Sequence, residues 1–149
     1  MKVKFYGALA LSHGARLLIL DEPTSGLDPL SREEFCAEIV RLAREEGAGV
    51  LFSTHIPSDL MRAADDIVFL SGGRMLAAGT LSELLDAHVF AEFTDDAQAR
   101  DAGAIGIHGG REGCAGLLSR GKSAGVRTRS ATLEEVMVCL ESEQRREVK

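Results

Sequence analysis

The run Leu17-Leu18-Ile19-Leu20-Asp21-Glu22 constrains this chain of 149 residues more than any other stretch. Four aliphatic residues ending on two acids read as a parallel strand covered on both faces, because such strands are continuously apolar rather than alternating. In open α/β sheets, ligands bind beyond the carboxyl ends of the strands, which is where Asp21 and Glu22 would stand. Two adjacent carboxylates there suit phosphoryl chemistry. One can hold Mg²⁺ through a water while the other orients an attacking water. Taken alone, the same pattern also describes a core strand followed by a solvated acidic turn.

Helices and strands alternate along the chain, which argues for an α/β sheet. Residues 2–13 read as a helix that Gly14 stops. Asp28-Pro29 reads as a helix start, with the acid as N-cap and proline at the first helical position. Phe35, Ile39, Leu42 and Ala43 form the apolar stripe of that helix, and Gly47 ends it. Residues 50–54 read as a second strand and 57–64 as a short helix. Residues 67–70 and 74–78 bracket Gly72-Gly73, a strong hairpin signal. Past Asp86 the composition changes. Short strands at 89–93, 103–107 and 125–128 are expected around polar helices. Between them, residues 109–116 are glycine-rich, and Gly121-Lys122-Ser123 reads as a surface turn because no well-spaced first glycine precedes it.

The string Asp21-Glu22-Pro23-Thr24-Ser25-Gly26-Leu27-Asp28-Pro29, followed by Val50-Leu51-Phe52-Ser53-Thr54-His55, resembles three motifs of the ATP-binding-cassette (ABC) ATPases. These are the Walker B motif, the D-loop and the switch-histidine strand, in that order and spacing. The resemblance is close from residue 1 to about residue 86 and loose beyond. It implies an α/β fold, a partial P-loop NTPase whose parallel sheet is flanked by helices over residues 1–86. A small α+β extension would occupy residues 87–149, and residues 130–137 resemble a short sequence that often closes such extensions. By the same resemblance, Asp21 holds Mg²⁺ through a water, Glu22 acts as general base and His55 bonds the γ-phosphate. Ser25, Gly26 and Asp28 belong to the D-loop, at an interface formed when two such domains sandwich ATP. ATP and Mg²⁺ are the cofactors implied. A second nucleotide-binding domain and a transmembrane permease are the partners implied, which places the chain in the cytoplasm on the inner face of the membrane.

These 149 residues contain no G-x-x-x-x-G-K-[ST], no glutamine loop and no intact signature. Met1-Lys2-Val3-Lys4 resembles the tail of a variant signature, and residues 8–13 resemble the helix after it. The expectation is therefore an N-terminally truncated chain with its phosphate-binding front encoded upstream. By resemblance, the strand entering the phosphate loop lies beside the His55 strand in the family's sheet, so its loss would leave an apolar gap.

Formal net charge is −6, which argues against a nucleic-acid surface. Three cysteines with no metal-like spacing suggest reduced thiols, and Cys36 and Cys139 fall inside helical patterns as packing residues. His13, His88 and His108 are expected to be structural or solvent-facing. No apolar stretch approaches the roughly 18 residues of a membrane span. The leading functional expectation is the ATP-hydrolysing subunit of an ABC transporter. The alternatives are a non-catalytic regulatory or docking fragment of such an ATPase, and a soluble ABC ATPase acting on nucleic acid.

Overall fold

In the computed structural model, residues 15–109, 113–122 and 125–147 are described. The expected helix at 2–13, the signature-like Met1-Lys4, His13 and Ser123 lie outside them. The chain divides into two compact units, residues 1–64 and 65–149.

The described residues of the first unit form a β-α-β-α arrangement. Strand β1 (Leu17–Asp21) pairs in parallel with β2 (Gly49–Ser53), in a register running from Leu17↔Gly49 to Asp21↔Ser53. Helix α1 (Pro29–Glu45) connects them, as a parallel pair requires. Its start is the one read from the sequence: Asp28 is the N-cap, Pro29 follows, and Asp28 Oδ1 accepts from Ser31 N–H at 3.0 Å. Gly47 takes φ 67° and turns the chain so that Ala48 N–H donates back to Leu42 O at 3.2 Å. One face of α1 buries Ser31, Cys36, Ile39 and Leu42. Leu42 packs with Leu18 and Ala48 as a small core, joined by Leu20 and Val50. The stripe is thus centred on Cys36 and Ile39, with Phe35 and Ala43 only half-buried. A short helix, α2 (Pro57–Ala63), follows β2.

Burial along β1 departs from the sequence expectation. Leu18 is 6% exposed, but Leu17, Ile19 and, on β2, Leu51 are 60–70% exposed. The strand is covered on one face, not two. The reason is architectural: among the described residues β1 and β2 form a two-stranded ribbon with helix α1 on one face, so a continuously apolar strand leaves its alternate residues bare.

The second unit opens with the hairpin β3 (Asp66–Ser71) and β4 (Arg74–Thr80), turned by Gly72-Gly73 at φ 56° and 75°. Helix α3 (Leu81–Asp86) starts with a capping box between Thr80 and Glu83. Next come β5 (His88–Phe93), α4 (Asp96–Asp101), β6 (Ile105–Gly109), β7 (Cys114–Ser119), β8 (Arg127–Ser130) and α5 (Leu133–Glu147). The four strands form one antiparallel sheet in the order β6-β7-β5-β8. With strands numbered from β5 this is the 2-3-1-4 order of ferredoxin-like sheets, although here the last helix follows the fourth strand. Helix α5 closes one face, packing its Val136 and Cys139 against Phe90 and Leu117. On the other face, Ala99 of α4 packs against Val89, Phe93 and Leu118.

Strand β7 has no counterpart among the strands read from the sequence: it takes up Cys114, Ala115 and Gly116 of the glycine-rich stretch 109–116, and its residues 114–118 are all buried. Gly116 lies inside the strand rather than in a loop. The described residues are thus mixed α/β, consistent with a partial P-loop NTPase.

Candidate functional site

The register of β1 and β2 brings their carboxyl ends side by side. Ser53 Oγ donates to Asp21 Oδ1 and accepts from Glu22 N–H at 3.0 Å. The same N–H reaches Ser53 O at 3.1 Å. These contacts hold Glu22 at φ 45°, the only non-glycine residue with positive φ among the described residues. Such a conformation costs on the order of 1–3 kcal/mol and persists only where its surroundings impose it.

Glu22 turns toward β2, and its Oε2 lies 2.8 Å from His55 Nδ1. The His55 ring is 72% exposed and the Glu22 side chain 35%. The approach has the distance of a hydrogen bond without its angle. Oε2, itself shielded from solvent, is left without a donor. His55 is fixed from behind by a tight turn in which Ile56 N–H donates to Thr54 Oγ1 at 3.1 Å.

After Glu22 the chain makes two successive turns, with Ser25 N–H donating to Glu22 O and Leu27 N–H to Thr24 O, each at 3.1 Å. Ser25 and Gly26 are exposed. Gly26 has φ 75°, and a Cβ there would meet no atom within 4 Å, so conformation rather than space calls for glycine. Asp28 is exposed, and its carboxylate also accepts from Ser31 Oγ at 2.5 Å. The sequence-predicted residues therefore gather at one edge: Asp21, Glu22 and His55 together, with Ser25, Gly26 and Asp28 on the adjoining loop.

Three further residues, none of them among the candidate catalytic, metal or interface residues, hold this site together. Ser53 links the two strand ends. Thr24, 1% exposed, donates its hydroxyl to Asp59 Oδ2 at 2.5 Å, and Asp59 is fully buried. Thr24 and Asp59 stand 35 residues apart, and no short motif spans that distance. Cys36 packs in the same interior. Burial first, and the Asp59 charge second, push its thiol above its usual range, which suits packing rather than reactivity.

The second unit carries an open cleft of about 670 Å³ lined by Phe90, Phe93, His108, Cys114 and Arg127 among others. None of the sequence-predicted site residues lies in it. His88 and His108 serve locally, their Nδ1 atoms each 2.8 Å from a nearby backbone carbonyl.

A family model described as "AAA domain, putative AbiEii toxin, Type IV TA system" matches residues 1–58, the stretch that holds Asp21, Glu22 and His55. Among curated proteins, the chain is 42% identical over 78 residues to a phosphate import ATP-binding protein of Aeropyrum pernix. The matched stretch is 52% of this chain and 31% of that protein. The resemblance is to ABC transporter ATPases. An uncharacterized ABC transporter ATP-binding protein of Synechocystis is 40% identical over 78 residues, 22% of its own length. An energy-coupling factor transporter ATP-binding protein of Latilactobacillus sakei is 39% identical over 83 residues, or 56% of this chain and 28% of that one. The ABC-like match thus spans about half of this chain and a third or less of each relative's length.

Proposed function

We propose that this chain supplies the water-orienting part of an ATP-hydrolysing subunit of an ABC transporter. One observation carries the reading. Glu22 and His55 face each other at the ends of neighbouring parallel strands, with Glu22 Oε2 2.8 Å from His55 Nδ1 and about a third of the Glu22 side chain open to solvent. A carboxylate so placed, and still partly open to solvent, can accept from an incoming water. The carboxylate then orients the water and takes its proton as it attacks. His55, exposed beside it, presents an imidazole that would bond the γ-phosphate and stabilise charge developing there.

Asp21 fits Mg²⁺ in the way hard cations prefer, through oxygen and water. Its Oδ1 already accepts from Ser53, which orients the carboxylate. The described residues bring no three His, Cys, Asp or Glu together, so the ion would rest on Asp21, waters and phosphate oxygens. When bound, Mg²⁺ neutralises charge on the transferring phosphate. Ser25, Gly26 and Asp28, exposed on one loop, would meet a second nucleotide-binding domain. No helix of the described residues is long and apolar enough to cross a membrane. By the resemblance to transporter ATP-binding subunits, coupling to transport would run through a permease partner at the cytoplasmic face. In this reading the ABC-like part extends over residues 1–86, and residues 87–149 form its extension.

The test is a chimera in which the matched stretch of this chain replaces its counterpart in a related ATP-binding subunit. Glu22→Gln should leave ATP binding nearly intact and lower turnover by about 10²–10⁴-fold, the range for a lost general base. His55→Ala should be severely impaired as well. Glu22→Gln turnover above about a tenth of the parent chimera would refute the base role.

A further inference from the structure

We propose that Asp59 is a positioning residue whose buried carboxylate latches the loop after β1 to the helix after β2, and so keeps Glu22 facing His55. This rests on the reading of that pair given above. Thr24 is two residues beyond Glu22, and Asp59 is four residues beyond His55. Their hydrogen bond, 2.5 Å from Thr24 Oγ1 to Asp59 Oδ2, therefore closes a ring that passes through both reacting side chains. Asp59 lies in α2 and its own N–H donates to Ile56 O at 3.0 Å, which ties it to the turn that carries His55.

The chemistry of the contact points to geometry rather than stability. Asp59 is 0% exposed, yet its Oδ1 has no hydrogen-bond partner. Arg32 Nε of α1 stops 3.8 Å from it, and that nitrogen has no hydrogen-bond partner either. Burying a carboxylate with one donor and an incomplete ion pair is a poor way to stabilise a fold, and apolar side chains of similar volume often do as well or better. What the arrangement does achieve is a fixed separation between two loops. One of those loops holds the strained φ of Glu22, which needs external support to persist.

Amide hydrogen exchange of this chain, measured residue by residue with no nucleotide present, tests the latch apart from any activity. Asp59→Leu removes the acceptor and fills its space. It should accelerate exchange at Glu22, Ser25 and Leu27 by about tenfold relative to the amides of the β1–β2 ladder, a local opening rather than a global one. Thr24→Val removes the donor without altering the helix and should give the same local pattern, which also covers a failure of Asp59→Leu to fold. Asp59→Asn keeps an acceptor and should stay within about threefold of the parent. Acceleration spread evenly over the first unit would overturn the proposal. So would no acceleration at the three amides, or Asp59→Asn tracking Asp59→Leu. Loss of the base role at Glu22 would instead appear only in the chimera's turnover.

Discussion

Glu135→Gln isolates one charge at the start of α5, and its effect on the second unit should depend on pH. Glu135 accepts from Arg129 Nη1 at 2.8 Å and also from Arg129 Nη2. It closes a capping box as well: Thr132 N–H donates to Glu135 Oε2 at 2.9 Å, and Glu135 N–H to Thr132 Oγ1 at 3.2 Å. The Arg129 hydrogen bonds foremost, and the Thr132 bonds after them, hold the Glu135 carboxyl down from 4.5 to about 2. Fully expressed, that shift is about 3 kcal/mol at 1.36 kcal/mol per unit. Arg129 is 53% exposed, so solvent screening reduces the contribution to about 1–2 kcal/mol. A carboxyl whose value is depressed on folding stabilises above its unfolded value and stops doing so as pH falls through the folded one. The contribution is therefore complete above about pH 5.5, less than half by about pH 3, and nearly gone near pH 2. Glutamine keeps the capping geometry but not the charge. Urea titrations of parent and variant at several pH values, followed on β5 and β7 amide resonances, read this unit alone. The expected difference is about 1–2 kcal/mol at pH 7, shrinking toward a small remainder in acid. A difference that stays constant with pH, or grows as pH falls, would refute the charge-based account.

Two further outcomes are expected. Gly106 sits at φ 61° with its missing Cβ 2.4 Å from Cys139 Cα and Cβ, so Gly106→Ala should destabilise the second unit by about 2–4 kcal/mol in the same urea assay. Calorimetry of these 149 residues should show no micromolar affinity for MgATP, because the glycine-rich loop and lysine that cradle the β/γ-phosphates have no counterpart in the sequence. Micromolar binding would overturn that statement and redirect attention to Gly121-Lys122-Ser123.

The elements legible in the sequence are those whose signals are local. Asp28-Pro29 starts α1 and Gly72-Gly73 turns β3 into β4 because each needs only its own neighbours to fix its conformation. β7 escaped because Cys114-Ala115-Gly116 looks like loop material. Its strand character comes from pairing with β5 on one side and β6 on the other, contacts that lie outside its own window. The exposed Leu17 and Ile19 teach the converse lesson. A continuous apolar run signals that a strand can be covered on both faces, not that a cover is present. At the site, the chemistry-bearing side chains were legible as a motif. The contacts that hold them were not, since Ser53 to Asp21 and Thr24 to Asp59 join residues more than thirty apart.

The strained backbone at Glu22 explains how two sequential acids can share one edge. In a regular strand, successive side chains point to opposite faces, so a continuing β1 would aim Asp21 and Glu22 apart. The change to φ 45° breaks that alternation at the strand's last step. Asp21 then meets the Ser53 hydroxyl while Glu22 meets the His55 ring. Two bonds from the Glu22 N–H and one to its carbonyl offset the strain locally, and each is lost if the residue relaxes into extended geometry. A solvated acidic turn after a core strand has no need of such an arrangement, since either carboxylate could reach water from an ordinary conformation. Glycine would adopt this φ at lower cost, so it is the carboxylate's placement, and not the turn itself, that calls for glutamate here.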